Sequence, residues 1–106
     1  MRNMHVTVHP LDALGNPLRR EILQELRRGP RSVGDLARRF PVSRPAVSRH
    51  LRILQDAGLV EPRPPGSAQP AYAVRVSGFR AVRDYVDDFW DTALSQLEAL
   101  AREDEP

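Results

Sequence analysis

Residues 32–60 read SVGDLARRFPVSRPAVSRHLRILQDAGLV, and the fold turns on how this stretch divides. Ser32 precedes an apolar-periodic run and Asp35 stands three residues on, a capping-box-like pattern that starts a helix. Val33, Leu36, Ala37 and Phe40 then share one face. Pro41 closes that helix, because the residue before a proline avoids helical geometry. Ser43 caps a second, longer helix that runs to Ala57 and stops at Gly58. Its apolar stripe is Val47, Leu51 and Leu54, at i, i+4 and i+7. The stretch therefore predicts a short helix (32–40), a tight turn (41–43) and a longer helix (44–57).

Working outward, Asn16 suits an N-cap and Pro17 the first helical position, where a missing amide loses no partner. Leu18, Ile22, Leu23 and Leu26 give this earlier helix one apolar face, and Gly29-Pro30 ends it. Leu11 to Leu14 predict a short turn or helix, preceded by an N-terminal arm over 1–10. Beyond Gly58, Leu59–Arg63 and Ala71–Val76 read as two strands joined by the turn-rich PPGSAQP, a hairpin over 59–76. A last helix is predicted over 78–101, on the repeat of Phe79, Val82, Val86, Phe89, Ala93, Leu97 and Leu100. No internal repeat or linker divides the 106 residues, so the expectation is one domain, mainly α with a small β-hairpin.

The net charge of +2 conceals an asymmetry. Residues 1–63 hold twelve Arg and six acids, while residues 64–106 hold four Arg and eight acids. A basic first half predicts a surface that meets a polyanion, with the acidic tail kept away from it. The absence of Lys is better explained by codon bias than by function. With no cysteine, disulfides, thiolate metal sites and cysteine nucleophiles are excluded. The start lacks the apolar run of a signal peptide and no later run spans a bilayer, which predicts a cytoplasmic protein with no membrane partner.

Short helix, turn, longer helix is the helix-turn-helix order, in which the second helix lies in the major groove with its N-terminal residues nearest the bases. With Val47, Leu51 and Leu54 turned inward, Pro45, Ser48, Arg49 and Arg52 take the opposite side, and Ser43 and Arg44 lead. Arg can bond a guanine edge bidentately, Ser can donate to bases or phosphates, and a small Pro permits close approach. In the hairpin, Arg63, Ser67, Gln69 and Arg75 are candidate phosphate contacts of a wing, although no basic residue lies between Arg63 and Arg75. His50 sits beside the core stripe, in a packing or phosphate-contacting place. The plain alternative is a helical hairpin with a solvated arginine face. The rival of another class is a winged-helix protein-interaction module without DNA affinity.

ALGNPLRREILQEL, the stretch quoted first and FRAVRDYVDDFWDTALSQLEAL together resemble the arsenic-repressor-like (ArsR) family of bacterial transcription regulators, over residues 11–100. The resemblance implies a winged helix-turn-helix and a homodimer built from the first and last helices, here Leu11, Leu14, Phe89, Trp90, Ala93, Leu94 and Leu97. It implies repression at a palindromic operator of double-stranded DNA, relieved by a signal that the sequence leaves unnamed. The residues matching the family's DNA contacts are Ser43, Arg44, Pro45, Ser48, Arg49 and His50. Metal-sensing members carry a cysteine pair where Ser32 and Gly34 stand here, and others use histidines on the last helix, which this chain lacks. The resemblance is thus to a metal-independent branch, and no metal or cofactor is expected.

Remaining residues read more simply as structure. His5 and His9 share a ligand-like spacing but lack a third ligand nearby, and an undocked arm accounts for them. Asp84, Asp87, Asp88 and Asp91 read as a solvated acidic face. Phe79, Tyr85, Phe89 and Trp90 read as packing that closes the last helix on the first and on a second copy. No Ser–His–acid arrangement or Gly-rich phosphate loop is present, so no enzyme is expected.

Overall fold

The computed structural model describes residues 8–103. Along them run α1 (Pro10–Ala13), α2 (Pro17–Leu26), β1 (Arg31–Ser32), α3 (Val33–Arg39), α4 (Arg44–Asp56), β2 (Val60–Arg63), β3 (Ala71–Val74), a 3₁₀ turn (Val76–Phe79) and α5 (Arg80–Glu103). The chain is mainly helical with a small antiparallel sheet, as the sequence predicts.

The helices α1 to α4 begin where a side chain can take up a free amide. Asn16 Oδ1 accepts from the Leu18 and Arg19 amides at 2.8 and 3.2 Å, with Pro17 at the first position of α2. Ser32 Oγ accepts from the Asp35 amide at 3.1 Å, and Ser43 Oγ from the Ala46 amide at 3.3 Å. α1 starts at Pro10, at the end of the stretch read as an arm, because His9 Nδ1 accepts the Leu11 amide at 3.1 Å. His9 is thus a cap, while His5 lies outside the described residues.

The sheet holds one strand more than the predicted hairpin. In the order β1-β3-β2, β3 is central: Arg31 stands opposite Tyr72 and Ser32 opposite Ala71, while Val60 to Arg63 pair with Val74 to Ala71. β1 escapes a sequence reading because two residues cannot show alternation. Ser32 also serves two elements, since an N-cap is itself extended, here with φ −78° and ψ 165°.

The core is a single cluster. Ile22, Leu23 and Leu26 of α2, Leu36 of α3, and Val47, Leu51 and Leu54 of α4 meet, closed by Leu59 and Val60. Burial of each large aliphatic side chain contributes about 1.5–3 kcal/mol, so three such anchors fix the rotation of α4 about its axis. Past α4, Gly58 adopts a φ of 77°, which a side chain would strain. Gly78 packs directly on it: a Cβ at Gly78 would fall on the Gly58 carbonyl. The end of α4 and the root of α5 therefore meet main chain to main chain.

α5 differs from the rest. Its predicted apolar repeat is present, yet none of its residues is buried, and Phe89 and Trp90 are 66% and 60% exposed. The expectation that this helix closes on the first helix within the chain is corrected: α5 touches α1, but its stripe is left open. The reason is length. Twenty-four residues make a rod of about 36 Å, and the molecule reaches 67 Å along its longest axis.

Candidate nucleic-acid interface

Because Val47, Leu51 and Leu54 hold α4 from below, its opposite face must lie outside. Ser43, Arg44, Pro45, Ser48, Arg49 and Arg52 are all exposed there, as the wheel predicts. Among the described residues, no carboxylate lies within 4.0 Å of the Arg44 or Arg49 guanidinium. Arg52 Nε is 3.9 Å from Asp56 Oδ1, an exposed pair that holds the arginine only weakly. The leading half of α4 thus offers free guanidiniums on a rigid support, the arrangement that suits anionic backbone and guanine edges.

His50 lies on the flank of α4 that faces α2. It is half-buried, and Arg19 Nη1 approaches its Nδ1 at 3.4 Å. Arginine is a donor only, so Nδ1 is the acceptor there. The same guanidinium gives Nε to the Ala13 carbonyl at 2.7 Å and so joins α1, α2 and α4. Burial, then the charges of Arg19 and Arg49, hold the imidazole pKa below its ordinary value. A neutral, packed histidine is the outcome.

The wing carries less free positive charge than its arginines suggest. Arg63 gives Nη2 and Nε to Glu61 Oε2 at 3.0 and 3.2 Å. Arg75 Nε lies 3.9 Å from Glu61 Oε1, and its Nη1 gives to the Gly58 carbonyl at 3.4 Å. One carboxylate engages both. Ser67 Oγ accepts the Gln69 amide at 3.2 Å and so shapes the loop. The signal was available, since Glu61 and Arg63 are two apart on one face of a strand.

Two positioning residues were not singled out from sequence. Arg19 is one. Glu25, mostly buried on α2, is the other: its Oε1 lies 3.2 Å from Arg39 and 3.6 Å from Arg31, tying α3 and β1 to α2. Hydrogen bonding from Ser32, with Arg38 nearby, also holds the Asp35 carboxyl below its usual range. That keeps the start of α3 capped from both sides.

Comparison with known proteins agrees with this geometry. A family model described as a helix-turn-helix domain matches residues 14–63. The HTH-type transcriptional regulator Rv2034 of Mycobacterium tuberculosis is 47% identical over 88 residues, covering 83% of this chain and 81% of that protein. An ArsR-like transcriptional regulator from Rhodococcus sp. RHA1 superposes with a TM-score of 0.74 at 33% identity, over 90% of this chain and 89% of the other. The chain belongs to the ArsR-like family of winged helix-turn-helix transcriptional regulators. A second ArsR-like likeness is the crystal structure of a possible transcriptional regulator for arsenical resistance, with TM-score 0.69 and 40% identity over 85% and 93% of the two chains. As an ArsR-like regulator the protein binds DNA and is no enzyme. The matched segment contains α2 to β2, and so the whole exposed face of α4. No helix among the described residues is long and apolar enough to cross a membrane.

Proposed function

We propose that this chain is a homodimeric, cytoplasmic repressor that reads a palindromic operator with one α4 per protomer in each of two successive major grooves. The observation that carries the reading is the pair Arg44 and Arg49, without a carboxylate within 4.0 Å among the described residues, on a helix whose other face is locked in the core. Arg49 and Ser48 read base edges, Arg44 contacts the backbone from the leading end of α4, and Pro45 lets the helix end approach. Arg52 contacts backbone. Arg63 and Ser67 make the lighter contacts of the wing, with Glu61 competing for Arg63. His50 supports α4 from behind.

The dimer forms through α5 with α1. Phe89, Trp90, Leu94 and Leu97 are exposed in the single chain, and Ala93 offers a small surface between them for close helix approach. Leu11 and Leu14, half-buried on α1 and at its cap, extend that surface at the base. Two-fold pairing then sets half-sites ~34 Å apart, ~10 base pairs centre to centre. Occlusion of a promoter represses. A thiolate-bound metal is not the signal, since Ser32 and Gly34 supply no sulfur at the start of α3.

Selection of bound sequences from a random DNA pool at ~150 mM salt, where weak non-specific binding is suppressed, tests the reading. An enriched inverted repeat with that spacing is expected. No enrichment from folded protein would overturn sequence-specific operator reading.

A further inference from the structure

Between α3, the leading end of α4 and the far strand of the wing lies a cleft of about 390 Å³, lined by Gly34, Arg38, Arg44, Ser48, Gln69 and Tyr72 among others. On its α3 wall, Gly34 offers no side chain. At the point where a Cβ on Gly34 would stand, Arg44 Nη2 lies 2.6 Å away and Arg38 Nη1 lies 3.8 Å away. Two guanidiniums therefore converge over one glycine. Arg38 gives its other terminal nitrogen, Nη2, to Asp35. Arg44 has no carboxylate partner among the described residues, so the cleft keeps a positive excess.

Asp35 offsets the charge of Arg38, but Arg44 has no such counter-charge among the described residues, and the two guanidiniums repel least when an anion sits between them. A phosphodiester carries one negative charge and two free oxygens, which suits two guanidinium edges. The first helix of a helix-turn-helix crosses the backbone while the second enters the groove. A strand lying beside α4 therefore passes this cleft. Ser48, Gln69 and Tyr72 add neutral hydrogen-bonding groups on the α4 and wing walls.

We infer that the α3–α4–wing cleft is a seat for one DNA backbone phosphate, clamped by Arg38 and Arg44 over the uncovered backbone of Gly34. This rests on the proposed docking of α4 in the groove. It assigns a role to Arg38, Gly34, Gln69 and Tyr72, and makes the gap in the side-chain surface at Gly34 functional. Gly34 has no positive φ, so its backbone would accept alanine. The added methyl would overlap the movable end of Arg44 and displace it from the cleft, while touching that of Arg38 only at ordinary contact distance.

That gives a test in which stability and affinity move apart. Binding to a mixed-sequence 30-base-pair duplex is followed across a salt series for the full chain and for Gly34→Ala, Arg38→Gln and, as a charge-matched control away from the cleft, Arg28→Gln. Gly34→Ala is expected to bind about tenfold more weakly, one charged hydrogen bond lost, with an unchanged or higher Tm because alanine favours helix. Arg38→Gln is expected to lower the slope of log K against log salt by about 0.9 for each chain bound, one phosphate contact, while Arg28→Gln leaves it unchanged. Wild-type affinity in Gly34→Ala, a lower Tm accompanying its loss of affinity, or equal slopes for the Arg38 and Arg28 variants would each overturn the phosphate seat. A wild-type protein that binds no duplex would overturn the docking itself, and the seat with it.

Discussion

α4 and α5 carry the same kind of apolar repeat and meet opposite fates. In α4, Val47, Leu51 and Leu54 are at most 1% exposed, whereas in α5 Phe89, Trp90 and Leu97 are at least 60% exposed. Spacing alone says that a helix has an apolar face; it does not say whose surface that face meets. In α4 the partners are α2, α3 and the sheet of the same chain, which leaves the polar face exposed and open to the proposed contact with DNA. In α5 the proposed partner is a second copy, and the acidic face, with Arg83 and Asp87 paired at 3.7 Å, stays in water.

Substitutions can sharpen or break this contrast. The largest effect is expected from Leu54→Ala, which should destabilise the chain by about 2–5 kcal/mol through the cavity it leaves. Chemical denaturation should show that loss at every protein concentration. Leu100→Ala on α5 should instead lower the midpoint when the protein is concentrated enough to pair and leave it nearly unchanged when dilute, because in the proposed dimer its contacts form between copies. Equal concentration dependence for the two variants would erase the distinction between α4 and α5.

Next comes Phe89→Asp combined with Leu97→Asp. Sedimentation should show a monomer with helical content largely kept, and operator affinity should fall about 100-fold or more as two linked half-site contacts become one. A variant that stays dimeric would place the interface elsewhere. On the α4 side, Arg49→Ala should cost about 1–3 kcal/mol on the selected operator and relax preference at one base pair. An equal loss on every sequence would reassign Arg49 to the backbone.

Smaller effects concern how α4 is held. Ser43→Ala should lower stability by about 1 kcal/mol in thermal or chemical unfolding, through loss of the Ala46 amide's partner. His50 gives the smallest signal and a definite sign. Its pKa is lowered in the folded chain, so the unfolded chain takes up the proton first as pH falls. Its contribution is full above the unfolded value near 6.5 and is lost as pH falls through the lower folded value. Unfolding measured from pH 7.5 to 5 should show a decline that His50→Gln reduces. An identical decline in both proteins would rule out His50 as its source.

Much of this was legible in the residues because the decisive signals are local. Caps at Asn16, Ser32 and Ser43, prolines at helix starts and glycines after helix ends act within one turn of chain, and they fall where the sequence puts them. The exposed face of α4 followed from its buried one. What was not legible depends on long-range geometry or on an unusual residue in a familiar role. β1 needs β3 to exist as a strand. His9 caps a helix with an imidazole, outside the usual Ser, Thr, Asp and Asn set. The engagement of Arg75 by Glu61 requires two strands in register, and the meeting of Arg38 with Arg44 requires α3 and α4 to be packed.

The meeting of Gly58 and Gly78 has a mechanical consequence. A contact between two stretches of main chain has no rotamers to absorb movement, so the junction acts as a stiff fulcrum. α5 is then a lever of about 36 Å pivoting beside the last turn of α4, and a sideways shift of ~3 Å at its tip turns it by only ~5°. Side chains along the lever can be replaced without altering that mechanical connection, provided both glycines stay.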